Sequence, residues 1–276
     1  ADRHPAEASS PAARHAAPVS ATAPVGPAGA RPLALVTGGL HRLGAAISAR
    51  LARGGYDLAL HRREEGEPDA DLATALAQAG TAWTVLSADL AVAGETEALF
   101  DAATAQFGRA PDLIVNNAAL FGEGAIDTLD RDALDAALAV NFIAPVLLTQ
   151  RLLARSGSGA VVNILDQRVR NPVPDQIAYS LAKTALWPNI RTLARACAPH
   201  VRVNAVAPGL TMATPDYEPG RMERMAGAMP LAALPTPGAI ADAVHYLATA
   251  EHVTGQTIFV DGGANLTGYR RDFAYL

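Results

Sequence analysis

The sequence predicts a single α/β domain with a doubly wound parallel sheet and helices on both faces. Short runs rich in Val, Ile and Leu alternate along the chain with longer amphipathic stretches. Runs without polar alternation are typical of strands buried on both faces, and the stretches between them have the length of crossover helices. The chain has 276 residues, 50% of them hydrophobic, which suits one such domain with a sizeable core.

The predicted elements begin at residue 33 and follow one another in alternation. The strand candidates are 33–37, 57–61, 82–87, 112–116, 160–165, 201–206 and 257–260. The helix candidates lie near 43–53, 69–79, 95–107, 131–155, 176–198 and 237–248, and the fourth of these leaves room for a break. In sheets of this kind, ligands bind at the carboxyl ends of the strands.

Residues 1–31 are predicted to form a disordered extension, so that the folded domain spans 32–276. The extension contains eleven alanines and five prolines, and Val19 and Val25 are its only bulky apolar residues. Such a segment buries too little apolar surface to offset the entropy lost on ordering.

Charge and cysteine content exclude several classes of protein. With a net charge of −5 and 18% charged residues, the chain lacks the basic surface of nucleic-acid and membrane-surface binders. A single cysteine, Cys197, forms no internal disulfide, and no apolar run approaches the roughly 18 residues of a membrane span. The seven histidines show no metal-ligand spacing. We therefore expect a cytoplasmic protein with no metal, nucleic-acid or membrane partner.

The first strand candidate runs into a glycine-rich turn at residues 37–44. Gly38 and Gly39 permit a tight turn and the close approach of a pyrophosphate, and Gly44 lets the following helix pack near the strand. The helix N-terminus adds N–H groups and a partial positive charge. The turn departs from the G-x-G-x-x-G pattern, so a tight strand–helix connection without a ligand stays open.

The second strand candidate ends in His61, Arg62 and Arg63, where an acidic residue would bind the ribose hydroxyls of NAD. Two guanidinium groups can instead bind a ribose 2′-phosphate, which favours NADPH over NADH. Glu64 and Glu65 follow directly, so a solvated surface role for both arginines stays open.

A tyrosine and the single lysine of the chain share one face of the fifth helix candidate. Tyr179 and Lys183 are four residues apart, whereas the other 21 basic residues are arginines. A nearby ammonium group favours the phenolate form of tyrosine and suits it to proton transfer near neutral pH. Such pairs also occur by chance on helices, but together with the glycine-rich turn this one indicates an oxidoreductase site.

Several short motifs together resemble the short-chain dehydrogenase/reductase family over residues 33–267. They are the 37–44 turn, the Asn-Asn-Ala-Ala run at 116–119, Asn141, Tyr179 with Lys183, Pro208-Gly209 and the Val-Asp-Gly-Gly run at 260–263. The resemblance implies a seven-stranded Rossmann-type sheet and a homo-oligomer, with a tetramer favoured. It implies that Tyr179 is the catalytic acid, that Lys183 binds the nicotinamide ribose and that Asn141 holds a relay water. It also implies cofactor contacts from Gly38, Arg42, Leu43, His61, Arg62, Arg63, Asp89, Leu90, Asn117, Ala118, Tyr179, Lys183, Pro208 and Gly209.

Two departures from the general family pattern resemble its pteridine reductase branch, which includes the bacterial dihydromonapterin reductases. Asp166 stands thirteen residues before Tyr179, where most members carry serine, and Arg42 replaces a glycine of the turn. In that branch an Asp–Tyr pair delivers protons to the pterin ring, and the turn arginine reaches cofactor and substrate. An alternative stays open, in which Asp166 caps the segment after its strand or pairs with Arg168 or Arg170.

Further features fit that branch. His61 and the basic residues after it resemble its NADPH-selecting segment, and Phe121 falls where those enzymes stack an aromatic ring on the pterin. The Asn-Phe-Ile-Ala-Pro run at 141–145 is also similar. Segment 210–231, rich in Met and Pro, is expected to supply a mobile substrate lid through Met212, although ordinary packing beneath a surface helix explains its methionines equally well.

These features predict an NADPH-dependent reductase of a dihydropteridine such as dihydromonapterin, dihydrobiopterin or dihydrofolate. The alternative reaction is the reduction of a carbonyl or 3-oxoacyl thioester. A catalytically silent NADPH-sensing protein is the alternative from another class, and the intact proton relay argues against it. The residues expected to contact the pterin-like substrate are Arg42, Phe121, Asp166, Tyr179 and Met212.

Overall fold

The computed structural model describes residues 31–122, 124–213, 218–268, 270 and 271. They form a seven-stranded parallel sheet flanked by helices, which confirms the predicted fold class. The strands are β1 (Leu33–Val36), β2 (Asp57–Arg62), β3 (Trp83–Ser87), β4 (Leu113–Asn116), β5 (Gly159–Ile164), β6 (Val201–Pro208) and β7 (Thr257–Val260).

Eight α-helices lie within the described ranges. They are α1 (Arg42–Arg53), α2 (Ala70–Ala79), α3 (Glu95–Phe107), α4 (Arg131–Leu138), α5 (Ala144–Ser156), α6 (Ile177–Cys197), α7 (Arg221–Ala228) and α8 (Pro237–Thr249). A π-helical segment, Ala139–Ile143, joins α4 to α5, and short 3-10 turns cover Gln167–Val169 and Ala264–Leu266.

The strand order β3-β2-β1-β4-β5-β6-β7 opens a crevice beside β1. The chain first winds from β1 to β3, and β4 then pairs with the other edge of β1. The connections that follow β1 and β4 therefore leave the sheet toward opposite faces. Their divergence creates a ligand-sized opening at the carboxyl ends of these strands.

Two apolar layers cover the sheet, and β1 contributes to both. Ala34 and Val36 pack in the layer beneath α1, α2 and α8, whereas Leu33 and Leu35 pack in the layer beneath α3 and α5. All four side chains are completely buried. A strand covered on both faces needs apolar residues at every position, which is why β1 reads as an unbroken apolar run.

Two helical features depart from the sequence prediction. The 131–155 candidate continues through a π-helical segment instead of breaking, and Pro145 lies in the first turn of α5, where its missing N–H is tolerated. Helix α7 was not predicted because it lies in the segment interpreted as a lid. Its Met225, together with Met229, is buried against Ala264, so ordinary packing explains these two methionines.

The expectation that no apolar segment approaches the length of a membrane span is wrong for the helical stretch Arg131–Ser156. It has the length and the mean hydropathy, 1.6, of a membrane-spanning helix, and 44% of its apolar window is buried. Polar and charged residues interrupt this stretch, so it contains no long uninterrupted apolar run in the sequence. In this fold the stretch packs against α3, α6 and the sheet, and a core helix passes the same test of length and composition.

Residues 1–30 lie outside the described part of the chain, so the disordered extension over 1–31 stays a prediction. Arg31 is described and contacts the domain. Its guanidinium donates to the carbonyl oxygen of Ala79 at 3.1 Å, and its own carbonyl accepts from Arg109 at 2.6 Å.

Candidate active site

A cleft of about 320 Å³ opens at the carboxyl ends of the central strands. Its lining combines residues that the sequence analysis selected with some that it missed. The selected residues are Arg42, Leu43, Asn117, Phe121, Asp166, Tyr179, Lys183, Pro208, Gly209 and Met212, and the missed ones are Ala119, Ile164, Leu165 and Thr211.

The glycine-rich turn is tied to the loop that follows β4. The Asn117 side chain donates to the carbonyl oxygens of Thr37 and Gly38, both at 3.0 Å. The Thr37 hydroxyl in turn accepts from the backbone N–H groups of Asn117 and Ala118, at 2.9 and 3.0 Å. These bonds couple the end of β1 to the end of β4, so Ala118 supports the turn rather than lining the cleft.

The backbone of the glycine-rich turn passes very close to neighbouring backbone and side-chain atoms. Gly38 has a φ of +61°, and a Cβ atom on Gly44 would lie 1.9 Å from the carbonyl oxygen of Gly38. Both positions therefore need glycine. Helix α1 starts at Arg42, within this turn, and its first-turn N–H groups lack intrahelical acceptors. The turn and the helix end thus fit the pyrophosphate of a dinucleotide.

His61 shapes the same turn from behind. It is 2% exposed, and its Nδ1 accepts from the backbone N–H of Gly38 at 3.1 Å. Its Nε2 lies 3.0 Å from the carbonyl oxygen of Ala88, which assigns the proton to Nε2. Burial lowers the pKa of this imidazole, so it is neutral at neutral pH. His61 therefore positions the turn and does not line the cleft.

A carboxylate from the start of α2 holds the start of α1. Asp69 accepts from the backbone N–H of Arg42 at 2.7 Å and lies 2.8 Å from Nδ1 of His41. Arg42 has a φ of +53°, a left-handed conformation that favours glycine. Its backbone is thus fixed while the residue lines the cleft, and its contact to cofactor and substrate stays a prediction.

The two arginines after His61 differ in their surroundings. Arg62 donates to the carbonyl oxygen of Gly66 at 2.7 Å and to the Ser87 hydroxyl at 3.2 Å, so it holds the β2–α2 loop. Arg63 is exposed and pairs with Glu64 at 2.5 Å. Neither lines the cleft, and binding of a 2′-phosphate by these arginines stays a prediction. We call the 37–44 turn together with His61, Arg62 and Arg63 the phosphate wall.

The opposite wall brings Tyr179 and Asp166 together. The Tyr179 hydroxyl donates to Oδ2 of Asp166 at 3.0 Å. Asp166 lies two residues after the end of β5, and Tyr179 lies in the first turn of α6, which starts at Ile177. The side chain of Asp166 is 17% exposed, and both residues line the cleft. The predicted Asp–Tyr pair is therefore present.

Arg168 engages the same carboxylate. Its Nε and Nη2 atoms lie 3.2 Å from Oδ1 and Oδ2 of Asp166, and its backbone N–H donates to Oδ1 at 2.8 Å. The capping and ion-pair alternative for Asp166 is thus also correct. Both arrangements exist at once because a carboxylate has two oxygens with about four acceptor sites.

Lys183 lies beneath the tyrosine and is 3% exposed. Its Nζ donates to the carbonyl oxygen of Ile164 at 2.7 Å and lies 5.8 Å from the Tyr179 ring centre. Burial disfavours the charged form and lowers the pKa of Lys183 to about 8, with partial compensation from Asp166. The pKa of this ammonium group is therefore close to neutral pH, and the group itself lies close to the Tyr179 ring. We call Asp166, Arg168, Tyr179 and Lys183 the proton wall.

Asn141, Asp89 and Leu90 also lie outside the cleft lining. Asn141 is completely buried, and its side chain bonds the backbone of Leu120 twice, at 2.9 and 3.2 Å. It thus fastens the loop after β4, and the relay water stays a prediction. Leu90 is buried, and Asp89 accepts from the backbone N–H of Ala91 at 2.9 Å, so the adenine contact also stays a prediction.

Phe121 and Met212 stand at the mouth of the cleft. Phe121 is 54% exposed, and its ring lies 4.6 Å from that of Tyr179 with an interplanar angle of 61°. This exposure leaves room for a flat ring beside it. Met212 lines the cleft beside Thr211, and the mobile lid stays a prediction. Tyr217 of the same segment lies outside the described residues.

Two features were missed by the sequence analysis. Arg168 appeared there as an ion-pair candidate, but the rings and the glutamine that it also contacts were not foreseen. Asp69 carries no motif. A signal for it exists only in its position as N-cap of α2, where a carboxylate is common. Within the described ranges, no three His, Cys, Asp or Glu side chains are grouped to hold a metal, and the absence of a metal stays a prediction.

Comparison with known proteins places these features among reductases. A family profile described as Enoyl-(Acyl carrier protein) reductase matches residues 39–265. FolM Alternative dihydrofolate reductase 1 from Brucella canis, solved in complex with NADP, aligns with a TM-score of 0.79 and 36% identity, covering 86% of this chain and 96% of that chain.

Two curated relatives represent two different substrate classes. Pteridine reductase 1 from Leishmania tarentolae is 31% identical over 281 residues, covering 86% of this chain and 97% of the relative. The 3-oxoacyl-acyl-carrier-protein reductase from Synechocystis is 32% identical over 239 residues, covering 84% of this chain and 96% of the relative. Overall identity alone therefore does not select the substrate.

Proposed function

Because the chain belongs to the short-chain dehydrogenase/reductase family and is an oxidoreductase, we propose that it is an NADPH-dependent reductase of a pterin. The substrate is a dihydropteridine such as dihydromonapterin, dihydrobiopterin or dihydrofolate. One observation carries this substrate class: a carboxylate, Asp166, stands 3.0 Å from the Tyr179 hydroxyl inside the cleft.

A carboxylate at this place suits a pterin better than a ketone. A ketone oxygen needs hydrogen-bond donors, whereas the pyrimidine part of a pterin presents ring N–H and amino groups to an acceptor. Asp166 already accepts from Arg168 and Tyr179, and the guanidinium faces both of its oxygens. In these bonds the carboxylate oxygens of Asp166 are the acceptors, which suits them to accept from the N–H groups of a pterin.

NADPH is the cofactor of this enzyme, and the NADP complexes of the Brucella canis and Brucella suis proteins support this assignment. When bound, NADPH supplies the hydride for the carbon of a C=N bond. Gly38, Gly44 and the start of α1 would hold its pyrophosphate, and Arg42 and Arg63 would supply positive charge to its phosphates. Tyr179 and Lys183 would bind its nicotinamide ribose at the other end of the cleft.

Tyr179 delivers the proton that completes the reduction. As C=N becomes CH–NH, the carbon gains a hydride and the nitrogen gains a proton, and the tyrosine hydroxyl is the donor at the cleft surface. The Lys183 ammonium stabilises the phenolate that remains. Phe121 stacks on the pterin, and Arg42 lines the same cleft as Asp166.

Reduction of a carbonyl or a 3-oxoacyl thioester is the second candidate. The Synechocystis relative supports it, and Tyr179 with Lys183 would serve that chemistry equally well. Asp166 separates the two candidates because an ionised carboxylate repels a developing alkoxide in place of donating to it.

A substrate panel tests this proposal. NADPH oxidation is followed at constant enzyme with a 7,8-dihydropterin, a quinonoid dihydropterin, an aldehyde, an acetoacetyl thioester and no substrate. We expect turnover with a dihydropterin. Turnover restricted to the carbonyl compounds would establish the second candidate, and NADPH binding without any turnover would establish a sensor.

We also propose that the enzyme is a cytoplasmic homotetramer. Ile143 and Leu181 expose apolar side chains, 47% and 45% exposed, on adjoining helical segments, and they offer surface for an interface. Light scattering after gel filtration tests the assembly, with four chains of 28.5 kDa expected. Fractionation of the native host tests the location.

A further inference from the structure

The Arg168 guanidinium contacts the segment after β5, the residue before α6 and two aromatic rings of the cleft. The residue is 6% exposed. It holds both oxygens of Asp166 after β5, at 3.2 Å each, and its Nη1 donates to Oε1 of Gln176 at 2.6 Å. A planar guanidinium can make these bonds in fixed directions, which a lysine ammonium cannot do.

The same guanidinium contacts two aromatic rings of the cleft. Its Cζ atom lies 5.3 Å from the ring centre of Phe121 and 5.2 Å from that of Tyr179. Both distances fall within the range of cation–π attraction. Arg168 therefore fixes the ring faces as well as the carboxylate.

Gln176 shows that this bridge constrains the backbone. It has φ and ψ of 51° and 57°, a left-handed conformation that is unfavourable for a residue with a side chain. It directly precedes α6, so its conformation sets where the first turn of that helix starts. Because Tyr179 lies in this turn, the Arg168–Gln176 bond helps to set the position of the tyrosine relative to Asp166.

We propose that Arg168 is a positioning residue that acts through Asp166 and Tyr179. It directs Oδ2 of Asp166 at the tyrosine hydroxyl and keeps the carboxylate an acceptor. It thereby makes the site selective for substrates that present N–H groups. The part that concerns the substrate rests on the proposed function, whereas the part that concerns the Asp166–Tyr179 geometry does not.

A double-mutant cycle tests the proposal. Arg168→Met, Asp166→Asn and the double variant are compared in kcat and KM for the 7,8-dihydropterin, with the Kd of NADPH from fluorescence. We expect Arg168→Met to lower kcat/KM about 10- to 100-fold while the Kd of NADPH stays within about twofold. In the Asp166→Asn background, the same change should have little further effect, because the group through which Arg168 acts is already altered.

Two matched variants make the test decisive. Arg170→Met removes an exposed arginine two residues away and should leave kcat/KM unchanged. Arg168→Lys keeps the charge and most of the packing, and we expect it to recover part of the activity lost in Arg168→Met. Wild-type activity in Arg168→Lys and Arg168→Met, or equal losses in both Asp166 backgrounds, would overturn the positioning role.

A wild-type enzyme that reduces carbonyl compounds but no dihydropterin would overturn the proposed function. The cycle would then be measured with the accepted carbonyl substrate. Strong coupling of Arg168 to Asp166 there would retain the positioning role, and additive losses would overturn it separately.

Discussion

The proton wall is buried and internally hydrogen-bonded, whereas the phosphate wall ends in exposed charges. Lys183 and Arg168 are 3% and 6% exposed, but the side chains of Arg63 and Glu64 are 55% and 77% exposed. A buried polar group is costly unless its hydrogen bonds are made, so the proton wall holds one geometry. An exposed ion pair contributes little and can rearrange around a ligand.

His61 is the exception that refines this comparison. It belongs to the phosphate wall but is buried, and it bonds the backbone of Gly38 and of Ala88. The shape of the turn is therefore fixed before a ligand arrives, while the charges around it are not. Geometry in this cleft is set by buried groups on both walls, and exposed cations add charge to it.

Tyr179→Phe should have the largest effect on the proton wall. It removes the proton donor, and loss of a positioned general acid costs about 100- to 10,000-fold in rate. We expect kcat to fall about 1,000-fold, whereas the Kd of NADPH should rise less than about tenfold, because one lost net hydrogen bond to the ribose costs about 1 kcal/mol and the ring still packs against Phe121. Single-turnover kinetics measure the effect, and a fall of less than tenfold would contradict the assigned role.

Lys183→Met should abolish activity without lowering the free energy of unfolding at pH 7.5. The pKa of Lys183 is about 8 in the folded chain because of burial, against 10.5 ordinarily. Between these values the unfolded chain holds a proton that the folded chain has released, so the free energy of unfolding rises with pH. The rise from this group is about 3 kcal/mol at most.

Urea unfolding of wild type and Lys183→Met at pH 7.5 and pH 10 isolates that contribution. We expect the stability of the wild type to gain about 2–3 kcal/mol relative to the variant between the two pH values. At pH 7.5 the variant should be as stable as the wild type or more so, although inactive. Parallel pH dependence of the two proteins would show that the buried ammonium carries no such cost.

His61→Leu should have a smaller effect, on cofactor binding. Loss of its bonds to the turn should raise the Kd of both NADPH and NADH by a similar factor of about ten, since each net hydrogen bond contributes about 1 kcal/mol. Arg63→Met is the matched contrast and should weaken NADPH alone, by about threefold, because its charge is exposed. If both variants weakened NADPH and NADH to the same extent, the proposed difference between His61, which sets the shape of the turn, and Arg63, which adds charge, would be wrong.

Most of the fold could be predicted because its signals are local. Strands buried on both faces read as apolar runs, and Tyr179 and Lys183 meet because four residues make about one helical turn. Helix α7 could not be predicted in this way, since its segment carries Pro and Gly as well as methionines. The π-helical segment likewise depends on how α4 and α5 pack.

The candidate site was predictable in its residues more than in their interactions. Two alternatives for Asp166, a partner of Tyr179 and a partner of Arg168, turned out to coexist. The bond from Arg168 to Gln176 could not be foreseen, because it depends on a left-handed turn that brings the start of α6 back toward β5. Asn141 was selected from the sequence to hold a relay water, but its side-chain amide is bonded to the backbone of Leu120 in the structure.

The most direct test is a ratio, namely kcat/KM for 7,8-dihydropterin divided by kcat/KM for acetoacetyl thioester, in wild type and in Asp166→Ser. If an arginine-paired carboxylate commits the site to pterins, the wild-type ratio is well above one. The serine variant should then lower the dihydropterin value about 100-fold and maintain or raise the thioester value. An Asp166→Ser enzyme that reduces the dihydropterin as well as the wild type does would contradict the account.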